Sequence, residues 1–151
     1  MAVSPTENIT DEQKRERVDL MRSIQWETWK AFKYRFDKSL HGEDDFWDII
    51  PKDYKLGDRY EGDCEEFALI CRKLLRDNGI MNSRLVFCTY PENGNGRPIG
   101  HVICEVDGYC FDNNEKRLKT KEQLERIGYK WVGISGYNPG DQWYRVLGAD
   151  E

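Results

Sequence analysis

The chain lacks the cysteine patterns of two common kinds of small protein. Its five cysteines are an odd number and include no Cys-x-x-Cys pair, which argues against both a disulfide framework and a zinc knuckle. Cys88, Cys104 and Cys110 lie in strand-like runs, and Cys71 lies on the apolar face of a predicted helix, so these four are interpreted as buried hydrophobic residues. Cys64 is the cysteine that the pattern leaves for chemistry.

Membrane segments and basic stripes are also missing. No apolar run reaches membrane-spanning length, and residues 1–8 contain no apolar core of a signal peptide. We therefore expect a cytoplasmic protein, or a periplasmic one if a leader has been removed. The 23 basic and 28 acidic residues are interspersed and give a net charge of −5. The interspersed charges predict no nucleic-acid partner, and the lack of a long apolar run predicts no membrane insertion. We also expect a monomer with a protein or peptide partner.

The length of 151 residues, without a break in composition, predicts one domain over residues 10–151 behind a flexible tail at residues 1–9. Thr10 followed by Gln13 resembles a capping box and starts a predicted helix that runs to about residue 38. Its aromatic residues partly leave the inner stripe of that helix; they are Trp26, Trp29 and Tyr34. A wide apolar face against the core is favoured over an exposed aromatic surface, but both interpretations stay open.

The predicted helix over residues 64–77 begins at the candidate nucleophile. Asp63 is a good N-cap, and Glu66 stands three residues later, so the pair resembles a capping box. In the first turn, unpaired backbone N–H groups and the helix dipole favour the thiolate form of Cys64, which is the form that attacks. The neighbouring carboxylates of Asp63, Glu65 and Glu66 oppose this effect, so a histidinium, a metal ion or both must offset them.

A hairpin is predicted around Asp107-Gly108, because this pair lies between apolar runs. A two-residue turn there sets Val106 opposite Tyr109 and, further along, Ile103 opposite Asp112. The same register places His101 and Asp112 on one face as diagonal neighbours. Strands at 84–90, 129–134 and 142–147 and a short helix after Thr120 complete an α+β fold, in which the Cys64 helix packs against an antiparallel sheet.

A thiol at a helix start, followed by a strand histidine and a strand aspartate, has the order of a Cys-His-Asp triad. Cys64 would attack an acyl carbon, His101 would act as the base, and Asp112 would orient the imidazole. The backbone N–H of Cys64 is one expected oxyanion donor. Tyr60 and Trp47 are the candidates for the second donor, although Trp47 is more simply a core anchor.

At these residues the chain resembles the bacterial transglutaminase-like cysteine proteinases. The segments that carry the resemblance are Gly62-Asp63-Cys64-Glu65-Glu66-Phe67-Ala68, Gly100-His101-Val102 and Phe111-Asp112-Asn113. The resemblance implies a papain-like fold related to transglutaminases, a Cys64-His101-Asp112 triad and, as in characterised members, calcium-dependent endoproteolysis of surface adhesins. Members often carry Asp where Glu66 stands, and periplasmic members have a signal peptide.

Calcium binding is a further expectation, because Asp63, Glu65 and Glu66 are hard oxygen ligands and the resemblance favours a metal. Further ligands would come from residues 53–61, and helix capping is the alternative role of these carboxylates. Three functions fit the sequence: an endopeptidase acting through a Cys64 thioester, an enzyme that transfers the acyl group to an amine as transglutaminases do, and a non-enzymatic interaction module that uses the loop at residues 91–98.

Overall fold

The computed structural model describes residues 10–35, 50–91, 97–138 and 140–146. The predicted tail at residues 1–9, Trp47 and most of the loop at residues 91–98 lie outside the described residues. The described helices are α1 (Asp11–Ala31), α2 (Cys64–Asp77) and α3 (Lys121–Arg126). Each starts with a capping box in which side chain and backbone bond reciprocally, as the sequence predicts; the pairs are Thr10 with Gln13, Asp63 with Glu66, and Thr120 with Gln123.

The strands form two sheets. Their bounds are β1 (Phe32–Tyr34), β2 (Tyr60–Gly62), β3 (Arg84–Pro91), β4 (Pro98–Val106), β5 (Tyr109–Phe111), β6 (Lys119–Thr120), β7 (Lys130–Ile134) and β8 (Tyr144–Arg145). The larger sheet is antiparallel, with the strand order β6-β5-β4-β3-β7-β8, and β1 pairs with β2 in a small parallel ribbon. The predicted α+β transglutaminase-like fold is confirmed.

The β4–β5 hairpin has the predicted register, because Val106 pairs with Tyr109 and Cys104 pairs with Phe111. Asp107 and Gly108 form the turn with φ angles of 52° and 86°. Two successive positive φ values match the right-handed twist of the flanking strands, and Asp-Gly tolerates them better than most pairs. The turn chemistry therefore fixes which side chains share a face at the other end of the hairpin.

Two apolar clusters confirm that side chains alternate along this hairpin. One cluster joins α1 and α2 to Cys104, Val106 and Phe111 of the sheet. The other contains Ile103 and Cys110, together with Leu124 of α3. Adjacent hairpin residues fall into different clusters, as expected for strands whose side chains point to opposite faces. The α2 helix thus packs on the sheet as predicted.

The predicted long N-terminal helix is wrong at its C-terminal end. The α1 helix stops at Ala31, and Phe32 is already extended, with φ −97° and ψ 132°. The Phe32 ring stacks on Tyr60 with 6.4 Å between centroids and meets the edge of Phe67 at 5.0 Å. Strand pairing and aromatic packing therefore replace the helical turn that the apolar spacing suggests, and residues 36–38 lie outside the described residues.

No helix within the described ranges is both long enough and apolar enough to cross a lipid bilayer.

Candidate active site

Cys64 is the first residue of α2, and its backbone position is fixed by the cap before it. The Asp63 carboxylate accepts hydrogen bonds from the backbone N–H groups of Glu65 at 3.0 Å and Glu66 at 3.2 Å. The Cys64 side chain is partly exposed, whereas the four other cysteines are buried and all five are free thiols. The partition of cysteines that the sequence predicts is therefore present in the fold.

His101 and Asp112 meet at the end of the β4–β5 hairpin, on the face that the register predicts. The His101 Nε2 lies 2.7 Å from the Asp112 Oδ1, and both side chains are buried, with 4% and 0% exposed. The Asp112 Oδ1 also accepts the backbone N–H of Asn114 at 2.9 Å. Its Oδ2 accepts the Tyr129 hydroxyl at 2.6 Å. Each carboxylate oxygen of Asp112 thus has at least one hydrogen-bond partner, which offsets the cost of burying this polar group.

The Cys64 side chain lies close enough to His101 to interact with the imidazole electrostatically. Because Nε2 bonds to Asp112, Nδ1 is the ring nitrogen that remains for the thiol. Burial lowers the pKa of His101, but the hydrogen bonds and negative charges of Asp112 and Cys64 outweigh it and raise the pKa to about 9. The imidazole is therefore protonated at neutral pH, and it supplies the positive charge that the carboxylates around Cys64 require.

Two stacked tyrosines pack against the imidazole ring. The edge of the Tyr90 ring meets His101 at 5.4 Å, and Tyr129 meets it at 6.1 Å, both nearly perpendicular. Tyr90 and Tyr129 stack on each other at 5.3 Å. Burial and the Asp112 charge raise the pKa of Tyr129, so its hydroxyl stays a proton donor to Asp112. The sequence gives no comparable signal for either tyrosine.

Gln25 of α1 clamps the backbone on both sides of Asp112. Its amide oxygen accepts the Asp112 N–H at 3.1 Å, and its amide nitrogen donates to the Asp112 carbonyl at 2.8 Å and to the Glu115 carbonyl. Gln25 is fully buried, next to Ile24 and between Met21 and Thr28 on the inner face of α1. A lone amide at a core-facing helical position is the signal that the sequence analysis missed, because such a group must find partners.

Tyr60 is one of the two candidates for the second oxyanion donor. In this structure its hydroxyl donates to the Glu66 Oε2 at 2.8 Å, so the single proton is not directed at an oxyanion. Trp47 lies outside the described residues. Tyr34 also lies near the site, which the sequence does not predict. In β1 it pairs with Gly62, and Gly62 precedes Cys64 by two residues. The Tyr34 side chain is 53% exposed. Burial and the charges of Cys64, Asp63 and Tyr90 raise the pKa of Tyr34, so the phenol remains protonated near the thiol.

The predicted calcium ligands are not arranged around a common point in this structure. The Asp63 carboxylate caps the helix, and the Glu66 carboxylate accepts the Asp63 N–H at 3.2 Å as well as the Tyr60 hydroxyl. In the ranges that the structure describes, no three His, Cys, Asp or Glu side chains come together to hold a metal ion. Capping accounts for Asp63 and Glu66 in this arrangement, and calcium binding that also involves Glu65 stays a prediction.

The fold and the thiol beside a histidine–aspartate pair define the class of transglutaminase-like cysteine peptidases. A model of the bacterial transglutaminase-like cysteine proteinase family matches residues 2–151. The chain belongs to this family, and the predicted resemblance and enzyme class are confirmed. A search of the curated proteins gives no match.

Proposed function

We propose that the protein is an endopeptidase that cleaves protein or peptide substrates through a Cys64 thioester, with His101 as the acid and base and Asp112 as the group that orients it. The observation that carries this proposal is the buried bond between His101 and the Asp112 carboxylate, with the Cys64 side chain near enough to raise the pKa of the same imidazole. Membership of a cysteine proteinase family supports the same chemistry. It favours peptide hydrolysis over amine transfer and over a binding module.

In the first step, the Cys64 sulfur attacks the carbonyl carbon of the scissile peptide bond, after its proton has moved to His101. A C–S bond forms while the carbonyl oxygen becomes an oxyanion. The imidazolium then gives its proton to the leaving nitrogen, the C–N bond breaks, and a thioester remains on Cys64. In the second step, His101 takes a proton from water while the water oxygen bonds to the acyl carbon, the C–S bond breaks to release the Cys64 thiolate beside the imidazolium, and the carboxylic acid product leaves.

Asp112 acts in both steps without exchanging a proton. Its carboxylate accepts from Nε2, so it fixes the ring with Nδ1 toward the sulfur and stabilises the imidazolium. The donors from Tyr129 and Asn114 hold this carboxylate in position. The Gln25 amide fixes the backbone from which it extends.

For the oxyanion, we propose the backbone N–H of Cys64 and the Tyr34 hydroxyl as donors. The first helical residue has no intrahelical partner for its N–H, and the β1–β2 pairing sets Tyr34 beside the nucleophile. Tyr34→Phe should lower the rate of peptide cleavage but leave the alkylation rate of Cys64 unchanged, because alkylation forms no oxyanion. An unchanged cleavage rate would remove Tyr34 from this role.

The nucleophile is tested by alkylation with iodoacetamide at neutral pH, followed by mass spectrometry of each cysteine peptide. We expect Cys64 to react much faster than the buried Cys71, Cys88, Cys104 and Cys110, which serve as internal references. His101→Ala should slow the reaction of Cys64 by at least about tenfold, because the positive partner of the thiolate is lost.

Exposure alone also makes Cys64 react faster than buried thiols, so His101→Ala is the decisive comparison. A Cys64 rate that is the same in the wild type and in His101→Ala, and equal to that of a free cysteine peptide, would overturn the triad. Cleaved protein termini that appear with the wild type and not with Cys64→Ala would identify the substrate class. Labelling of lysine side chains without new termini would indicate acyl transfer instead.

Calcium is tested separately, because no step above passes through a metal. The thermal melt and the alkylation rate of Cys64 are compared in calcium and in chelator, with Glu65→Gln as the variant. A higher melting temperature and a faster rate in calcium, both lost in the variant, would support an ion at the start of α2. If calcium changes neither the melting temperature nor the alkylation rate, Asp63 and Glu66 act as helix caps only.

A further inference from the structure

The outer face of α1 carries a pocket that the proposed catalysis does not use. It is lined by Arg22, Ser23 and Trp26 of α1 and by Arg117 and Leu118 of the segment between β5 and β6, and its volume is about 590 Å³. We call it the Trp26 pocket. Trp26 is 40% exposed although its helix buries Met21, Ile24, Gln25 and Thr28 on the other side. Of the two interpretations of the α1 aromatic residues, the exposed surface thus applies to Trp26, while Trp29 packs against the core.

The surroundings of the pocket are positively charged, against the net charge of −5 of the whole chain. Trp26 and Trp29 stack at 5.9 Å; Lys30 lies 5.3 Å from the Trp26 ring, and Lys116 lies 5.6 Å from the Trp29 ring. With Arg22 and Arg117 this makes four cations around two indole rings.

Nearby carboxylates offset only part of this charge. Arg22 pairs with Asp19 at 3.4 Å, and Lys30 pairs with Glu27 at 3.1 Å, both at exposed positions where such pairs are weak. Within the described residues, neither Lys116 nor Arg117 forms an ion pair. An excess of two positive charges therefore remains around the concave surface.

The chemistry of this lining selects an anion joined to an apolar group. Guanidinium groups bind carboxylates with paired hydrogen bonds, and an indole ring beside a leucine covers an apolar side chain. We propose that the Trp26 pocket binds an acidic peptide segment that carries an apolar side chain. That this segment belongs to the protein that is cleaved, and so anchors it away from the scissile bond, rests on the proposed function; the binding itself does not.

Gln25 connects the two elements that form the walls of the pocket. Ser23 and Trp26 flank this residue on α1, and its amide donates to Glu115, two residues before Arg117. The walls are therefore held together before any ligand arrives, which lowers the entropy lost on binding. The same amide donates to the Asp112 carbonyl, so one residue connects the elements of the pocket and the residue that orients the imidazole.

The test uses Cys64→Ala protein and three synthetic peptides, acetyl-EELEE-amide, acetyl-QQLQQ-amide and acetyl-KKLKK-amide, with binding followed by calorimetry and tryptophan fluorescence. We expect only the acidic peptide to bind, and its affinity to fall as salt rises from about 50 to about 300 mM. The double variant Arg22→Gln and Arg117→Gln should weaken binding at least about tenfold. The matched double variant Lys14→Gln and Arg15→Gln removes two exposed charges from the same helix outside this pocket, and should change affinity by less than about twofold.

Equal affinity for the acidic and neutral peptides, or equal losses in the two double variants, would overturn the proposal. Binding to phosphatidylglycerol vesicles in place of the peptide would overturn it in favour of an anionic membrane surface. Because the protein in this test has no nucleophile, its outcome is independent of the alkylation experiment. Peptide binding with an unreactive Cys64 would support the pocket and overturn the peptidase mechanism.

Discussion

Two buried carboxylates in this protein have almost the same surroundings and different proposed roles. Asp112 accepts a tyrosine hydroxyl at 2.6 Å and a backbone N–H at 2.9 Å. Glu66 accepts a tyrosine hydroxyl at 2.8 Å and a backbone N–H at 3.2 Å. Their exposed fractions are 0% and 4%. Within the described residues, Asp112 and not Glu66 also faces an imidazole, that of His101.

The contact with an imidazole is what distinguishes the proposed catalytic carboxylate, Asp112, from the structural one, Glu66. A tyrosine and an N–H satisfy a buried charge wherever it occurs, so they indicate stability rather than chemistry. The Glu66 carboxylate caps the start of α2 and fills the space over Gly62, whereas the Asp112 carboxylate bonds to an imidazole whose pKa the Cys64 thiol also raises. Matched variants of the two sites separate these roles.

The largest difference is expected between Asp112→Asn and Glu66→Gln, which each remove one charge and keep the shape. Asp112→Asn should lower peptidase activity about 100- to 10,000-fold, while leaving weak activity above that of Cys64→Ala, because the imidazole loses its orientation and its counter-charge. Glu66→Gln should keep the alkylation rate within about twofold and cost on the order of 1 kcal/mol of stability, which is read from the thermal melt. Equal activity losses in both variants would remove the distinction.

The pH dependence of the free energy of unfolding should also distinguish the Asp112 site from the Glu66 site. The pKa of His101 is raised from 6.5 to about 9, so the folded protein holds this proton more tightly than the unfolded chain does. The resulting stabilisation, on the order of 3 kcal/mol, is complete below about pH 6.5 and is lost as the pH rises through 9.

Denaturant unfolding of wild type and Asp112→Asn between these pH values measures this contribution. The stability difference between the two proteins should shrink as the pH rises, whereas that between wild type and Glu66→Gln should change little. A difference for Asp112→Asn that is constant across the range would mean that His101 does not titrate against Asp112.

Removing either tyrosine hydroxyl should have a smaller effect. Tyr129→Phe and Tyr60→Phe each delete one hydrogen bond to a carboxylate and should each lower stability by about 1.5–3 kcal/mol. Only Tyr129→Phe should also slow the alkylation of Cys64, by several-fold, because Asp112 loses part of its orientation. Slowing of the same size in Tyr60→Phe would show that the helix start also controls the reactivity of the thiol.

The smallest effect is expected at Gly62, where packing alone is tested. A Cβ at this position would lie 2.6 Å from the Glu66 carboxyl carbon, so Gly62→Ala should cost about 1–3 kcal/mol by overpacking. Adding Glu66→Asp shortens the side chain and should recover part of that cost. A double-mutant cycle with the two single variants measures this coupling, and additive losses would show that the carboxylate moves aside freely.

The hairpin register and the capping boxes follow from the sequence because each depends on a few adjacent residues. Asp107-Gly108 fixes the turn, and the turn then places His101 and Asp112 on one face. In the same way, Asp63 with Glu66 defines the start of α2 and the position of Cys64.

The rest of the site depends on contacts between distant parts of the chain. The apolar spacing continues past Ala31, but the pairing of β1 with β2 ends the helix there and brings Tyr34 beside Gly62. Tyr129 reaches Asp112 from a separate strand region, and no local pattern encodes that approach. The sequence of one turn is enough to predict the contact between His101 and Asp112. The groups that hold this pair in place come from distant parts of the chain and can be identified only in the folded structure.

The bonds between Gln25 and Asp112 connect residues that are 87 positions apart in the chain. Closing a loop of this length carries an entropy cost, so the clamp forms only when α1 has docked on the finished hairpin. On the proposed mechanism, an unfinished chain or one clipped within α1 holds Cys64 and His101 without a fixed Asp112. The reactivity of the thiol should therefore depend on the docking of α1, a helix that contributes no group to the triad itself.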